Sequence, residues 1–265
     1  MKKVASFCFL SLILSLGAYS TFAQDSAPRR LQAGMTGNFG INMVKPTDTY
    51  FNASPFNHDL SVGIIFNTSF KGSPNLGIST GFEFEFTKLN YEAIDSVFYR
   101  YAGSNILHQD ELGGTGYLLT NRQYSTVGIA VPLMMLFRMD PIGDWKIFAK
   151  FGIRNSFMVS QRISDRGFDV GADANGLTFT AKENANLKSF GDQFFYKGSV
   201  GFSAGAEWNF AGSTSLVPEL GFYYGLTPLH FRAIEDNYTF SDASGTYFYQ
   251  KARQNQLILK LSLLF

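Results

Sequence analysis

Hydrophobic and polar residues alternate with a period of two along most of the chain from residue 31 onward. In LQAGMTGNFGINM (31–43) the apolar side chains fall at Leu31, Ala33, Met35, Phe39, Ile41 and Met43, with Gln32, Thr36, Asn38 and Asn42 between them. Successive side chains of a strand point to opposite faces, so this spacing predicts a strand with one apolar and one polar face. The same pattern occupies 60–70 and is clearest over 76–88, where Leu76, Ile78, Phe82, Phe84 and Phe86 oppose Gly77, Ser79, Gly81, Glu83 and Glu85. Further runs at 124–137, 145–159, 194–210, 215–227 and 247–265 bring the expected total to eight strands. Pro132 lies inside the fourth run and has no N–H for a ladder, which predicts a bulge there that re-aims Met134 and Leu136.

The predicted connections alternate in length. Residues 71–75, 138–144 and 211–214 read as tight turns, whereas 44–58, 90–120, 160–192 and 228–246 read as long polar loops. The third of these carries an Asn175-Gly176 pair that predicts a hairpin. Short turns on one side and long loops on the other describe an all-β, eight-stranded antiparallel up-and-down transmembrane β-barrel, both chain ends on the short-turn side and the long loops extracellular. A soluble barrel is the competing architecture, and the chemistry of the two strand faces separates them. One face is a nearly charge-free set of Phe, Leu, Ile, Val, Tyr and Met. The other holds small and polar residues with Glu83, Glu85, Lys146, Lys150, Arg154, Lys197, Glu207, Glu219 and Lys260. Charges beside glycines belong inside a narrow cylinder, and the apolar face then needs lipid. Tyr124, Trp145, Trp208, Phe210 and Tyr247, near strand ends, are expected to form interfacial girdles.

Counted from the short-turn end, Glu83, Glu85 and Arg154 share one level, while Lys150, Glu207, Glu219 and Lys260 form a second, lower one. The expectation is a charge-plugged lumen that serves stability. Eight strands enclose a space that side chains nearly fill, so no wide pore is predicted.

The first 23 residues begin with Lys2 and Lys3, continue through an apolar run and end in Thr21-Phe22-Ala23, which reads as a cleaved secretory signal peptide. Residues 24–30 form a flexible lead-in, and 31–265 the barrel. The one cysteine, Cys8, lies in the leader, which removes disulfides, thiolate metal sites and cysteine nucleophiles from the mature chain. Composition supports the strand reading: 45% hydrophobic but only 16% charged, with 28 Phe, 13 Tyr and 26 Gly. A formal net charge of +1 offers no bulk attraction for nucleic acid.

Candidate chemistry is sparse. His58 with Asp59, or His230 near the exit of the seventh strand, could serve an outer-membrane lipid hydrolase. His108, Asp110 and Glu111 could start a metal site but lack further convergent ligands. The reading that follows is a non-enzymatic protein without cofactor or metal. It is an outer-membrane protein acting as a structural or interaction barrel through its extracellular loops. The alternatives are a narrow conduit or binder for a small hydrophobic molecule, and the hydrolase. Expected partners are outer-membrane lipid and an unknown surface or secretion-machine component.

The segments VPLMMLFRM, FAKFGIRNSFMV, GSVGFSAGAEWNF and LGFYYGLTPL and the final strand ending in Phe265 resemble the PorT-like outer-membrane β-barrel domain family of Bacteroidetes, itself similar in shape to small OmpA- and OmpX-type barrels. The resemblance implies location and fold, since the family shares no common activity. It also implies that Phe265 is the signal read by the outer-membrane assembly machinery.

Overall fold

A computed structural model describes residues 30–107, 115–173, 176–188, 192–211, 214–230 and 240–265. The predicted leader with Cys8, most of the lead-in, the His108, Asp110 and Glu111 cluster, and Asn175 lie outside the described residues. Among the described residues all regular structure is β: β1 (Leu31–Pro46), β2 (Phe51–Ala53), β3 (Asn57–Phe70), β4 (Ser73–Ala102), β5 (Asn105–Leu107), β6 (Thr115–Arg138), β7 (Trp145–Asp173), β8 (Gly176–Leu187), β9 (Tyr196–Ala211), β10 (Thr214–Gly225), β11 (Phe240–Ser241), β12 (Tyr247–Phe248) and β13 (Ala252–Leu264). No helix of the described chain is long and apolar enough to cross a membrane.

Pairing runs antiparallel through β4, β3, β1, β13, β10, β9, β7 and β6, and β6 pairs back onto β4. Those eight strands therefore form a closed circuit. First and last strands meet along Gly34↔Leu264 through Pro46↔Ala252, and the Phe265 N–H donates to the Ala33 carbonyl at 2.8 Å. β3 and β4 are joined by a two-residue turn in which Gly72 takes φ +86°, a left-handed conformation that glycine adopts without a Cβ clash.

Segments 90–120 and 160–192, expected as loops, are strand over much of their length. β4, β6 and β7 continue far past the rim set by their neighbours, pairing as far as Tyr101↔Thr115 and Gly116↔Val170, and β8 folds back on β7. The two-residue alternation persists in 97–101, where Val97, Tyr99 and Tyr101 are buried. Hydrogen-bonded neighbours on both sides make polar sequence compatible with strand here, and a tall wall rises on one side of the ring.

The bulge expected at Pro132 is absent. Pro132 pairs in regular register with Arg154 on β7, and toward β4 the pairs Thr80↔Leu133 and Glu83↔Ala130 keep one register across two missing rungs. The Thr80 hydroxyl donates to the Pro132 carbonyl at 2.8 Å. A missing N–H removes rungs without requiring an extra residue, so register survives. Pro218 repeats the arrangement, with rungs missing between Leu216↔Trp208 and Glu219↔Gly205 while Pro218 stays paired to Leu261. The register shifts in β6–β7 fall at Leu119/Asn121 and Val127/Gly128 instead.

Face assignment follows the alternation. Phe39, Leu60, Val62, Ile64, Phe82, Phe84, Phe86, Leu133, Met135, Phe151, Ile153, Phe202, Leu220, Leu259 and Leu261 are exposed on the outside. Met134 and Leu136 point inward. Gly205 shows why glycine lines the interior: a Cβ there would stand 2.7 Å from the Phe148 ring and 2.3 Å from the Pro218 carbonyl oxygen. Tyr124 corrects the girdle expectation. It is buried inside the ring, because it shares the inward parity of Ala130 and Met134, and its hydroxyl donates to Gln250 at 2.8 Å. Trp145 and Trp208 are exposed and stack across β7 and β9 with centroids 5.6 Å apart.

Replacing Phe265 by Asp leaves the final backbone donor in place but puts a charge where an aromatic ring ends β13. Surface levels of folded protein, measured by heat-modifiable gel migration of outer-membrane fractions, should fall. Wild-type levels would remove any assembly role for the terminal ring.

Candidate functional site

Charged side chains meet across the ring interior. Glu83 and Glu85 lie two residues apart on the inward face of β4, and Arg154 reaches both from β7 across the lumen. One guanidinium nitrogen donates to Glu83 and the other to Glu85 at 3.2 Å, a planar donor matched to two carboxylates. Lys260 of β13 donates to the second Glu83 oxygen at 2.7 Å, and Lys197 of β9 to Glu85 at 2.6 Å. Thr87 and Ser156 also donate to Glu85. Below this group Lys150 meets Glu219 at 2.5 Å, and Ser203 donates to the other Glu219 oxygen at 2.7 Å.

Of the nine residues that alternation placed inside, Lys146 does not join. It is exposed at the start of β7, although it stands opposite Glu207 in the β7–β9 register. Glu207 is taken instead by Arg138, the last residue of β6, whose guanidinium also reaches Ser69 and Gln32. An arginine spanning the strand end offers several donors in one plane, and a lysine opposite does not. Lys260 also departs from expectation: it stands lower in count but bridges upward to Glu83, because neighbouring strands are staggered around the ring.

Above the charges sits a second closure that residue spacing did not reveal. Phe51, Leu89, Tyr91, Val97, Tyr99, Tyr117, Leu119, Tyr124, Ile163, Leu229 and Phe240 form one buried cluster. Arg122 is fully buried within it, pairing with Asp165 through two nitrogens at 2.8 and 2.7 Å and with Asp192 at 3.3 Å. Its guanidinium carbon lies 4.6 Å from the Phe240 ring centre and 5.0 Å from that of Tyr99. A cation over aromatic faces with its carboxylate in the plane of its N–H groups is satisfied on every side. The Tyr99 hydroxyl donates to Asp165 at 2.6 Å. The signal for this cap was the continued alternation at 97–101.

His230 is part of the cap. Its Nδ1 lies 3.0 Å from the Asp192 carbonyl oxygen and must donate there, so Nε2 accepts from the Tyr91 hydroxyl at 2.8 Å. Burial holds the imidazole neutral, pushing its pKa down to about 3. His58 is on the outer face, stacked on Phe39 at 6.4 Å, while its neighbour Asp59 points inward toward Gln256. The structure thus divides the pair that a hydrolase would have used. No group of three metal-ligating side chains converges among the described residues.

Between charges and cap lies a small pocket of about 20 Å³, lined by Arg154, Ser156, Lys197, Thr227, Gln254 and Gln256 among others. Its lining mixes these polar side chains with Pro228 and Leu229.

A closed antiparallel ring with hydrophobic side chains outward and charges inward defines an outer-membrane protein of the β-barrel class. The chain belongs to the outer membrane protein beta-barrel domain family, whose model matches residues 22–230. No curated protein matches its sequence. Solved structures similar to it include the attachment invasion locus protein Ail of Yersinia pestis, at 8% identity and TM-score 0.34, covering 89% of this chain and 100% of that one. Neisserial surface protein A has 10% identity and TM-score 0.35, over 89% and 98%. The outer membrane protease OmpT of Escherichia coli has 9% identity and TM-score 0.32, over 93% and 99%. Likeness at that level carries no argument about role.

Two outcomes are expected. Arg154→Ala leaves Glu83 and Glu85 buried without their shared cation and should destabilise the fold by about 3–5 kcal/mol, read by thermal unfolding in micelles. Adding Glu83→Gln and Glu85→Gln to it should restore part of that loss, and full stability of the single variant would contradict the hub role. For His230, the unfolded chain takes up a proton near pH 6.5 and the folded protein near pH 3. Between those values the unfolded state binds more protons, so the contribution of the neutral imidazole is complete above 6.5 and lost as pH falls toward 3. His230→Gln should flatten the stability loss in that window. An unchanged pH slope would refute it.

Proposed function

We propose that this outer-membrane protein is an eight-stranded up-and-down transmembrane barrel whose lumen is sealed, and that it acts as a structural or interaction barrel through the parts that project beyond the membrane. The observation that carries this reading is the double closure of the lumen. The Arg154–Glu83–Glu85 group with Lys197 and Lys260 crosses it at one level, and the aromatic cluster around Arg122 fills it at another. The tall wall of β4, β6, β7 and β8 projects beyond the outward apolar band, which suits contact with a partner rather than passage of a solute. Connections 71–72 and 139–144 are short on the side holding both chain ends, which supports placing that side in the periplasm and the wall outside the cell.

The resemblance of the middle and final strands to PorT-like domains supports that branch of the family, with a leader cleaved after Ala23 and recognition of Phe265 by the assembly machinery. The chain is read as non-enzymatic and cofactor-free. Lipid hydrolase chemistry is disfavoured by the opposite facing of His58 and Asp59 and by the burial of His230. A conduit or binder for a small hydrophobic molecule is disfavoured by the size of the pocket described above, about 20 Å³ and little more than a water needs.

Planar-bilayer recording tests the sealed lumen. The wild-type protein should give no stable channels, and Arg154→Ala should remain closed because the aromatic cap is independent of it. Steady conductance from the wild-type protein would overturn the reading.

A further inference from the structure

Outside the ring, the edge of the apolar band that faces away from the chain ends is lined by cations. On β1 the outward residue after Met43 is Lys45, and on β4 the one after Phe86 is Lys88; both are exposed. On β13 Arg253 stands beyond Leu257 and Asn255, and on β7 Arg162 stands beyond Val159 and Ser160, again exposed. Strand pairing gathers these into two groups. Lys45 and Arg253 are directly opposite each other in the β1–β13 ladder. Lys88 is opposite His58 on one side and Ser125 on the other, and Ser125 is opposite Arg162.

None of the four cations takes part in an ion pair among the described residues. Like charges facing each other across a ladder repel, so the Lys45–Arg253 pair costs stability unless an anion lies between them. Of the carboxylates nearby, Asp59 and Asp165 point into the ring, Asp48 accepts from the backbone N–H groups of Tyr50, Phe51 and Lys251, and exposed Glu92 stands four residues beyond Lys88 on β4. At the opposite edge of the band Lys71 and Lys146 are accompanied by exposed Asp140 and Asp144. Immediately below the cations are the exposed chains of Phe39, Ile41, Phe84, Phe86 and Leu257, an apolar surface continuous with them.

We propose that this collar binds the phosphorylated headgroup of an anionic lipid in the outer leaflet, its acyl chains lying on the apolar band. The proposal rests on the transmembrane reading above. A phosphate bridging Lys45 and Arg253 would turn a repulsive pair into two charge-assisted contacts, with Arg253 offering paired donors and Lys45 a point charge. The Lys88, His58 and Arg162 group offers a second seat on the neighbouring face. A lipid satisfies both features at once, whereas a free anion would use only the cations.

The test uses the full protein in phosphatidylcholine nanodiscs, with diphosphoryl lipid A as the probe and native mass spectrometry as the readout. Wild-type protein should retain lipid A in preference to its dephosphorylated form, with retention falling as salt rises. The variant carrying Lys45→Gln, Lys88→Gln, Arg162→Gln and Arg253→Gln should keep heat-modifiable migration and bind lipid A roughly 100-fold more weakly. Inorganic phosphate at equal concentration should not displace the lipid. Equal retention of dephosphorylated lipid by the wild type, unchanged binding by the variant, or displacement by inorganic phosphate would each overturn the proposal. Insertion without lipid preference overturns the collar alone. Failure of the wild type to insert at all overturns the transmembrane reading, and the collar with it.

Discussion

Pairing of β4 with β6 turns a row of strands into a ring, and everything else in the molecule follows from that closure. An open sheet would leave the N–H and C=O groups of two edge strands without partners, which hydrocarbon does not tolerate. Closure supplies those partners and also divides every strand into an inward and an outward face. Even the two prolines comply: Pro132 and Pro218 each forfeit rungs on one side while the other side holds register. A slip of one residue anywhere would put Phe84 inside and Glu83 outside.

Once the ring is closed, its width decides what the inside can be. Eight strands leave room for side chains and little more, so groups that point inward must satisfy one another. Arg154 meets this demand by dividing its guanidinium between Glu83 and Glu85, and Lys260 and Lys197 take the remaining carboxylate oxygens. Such an arrangement is weak evidence for net stability, because desolvation offsets much of the attraction, but removing one member leaves a buried charge behind. The cap solves the same problem with different chemistry. Around Arg122, aromatic faces and two aspartates replace a lattice of lysines and glutamates.

The outside is asymmetric in a way the inside is not. Strands on one side stop near the rim, while β4, β6 and β7 continue and are joined by β8. Prominence of that wall is the feature on which the proposed contact role rests.

Much of this could be read in the residues alone. Strict alternation over 31–43, 76–88 and 257–265 determines strand identity and face, because side chains two apart share a face in any strand, whatever its neighbours. Inward placement of Glu83, Glu85, Arg154, Lys150, Glu219 and Lys260 followed from the same parity. Partners did not follow. Stagger between strands sets which charges meet, so Lys260 reaches Glu83, and Arg138 displaces Lys146 at Glu207. Length also escaped, since the strand character of 97–101 and 160–173 depends on ladder partners distant in sequence. The cap around Arg122 brings together β2, β4, β6, β7 and the residues after β10, and only a closed ring makes those segments neighbours. Periodicity is a local property of a chain. Proximity across a lumen is not, and that is why the tertiary structure alone decided it.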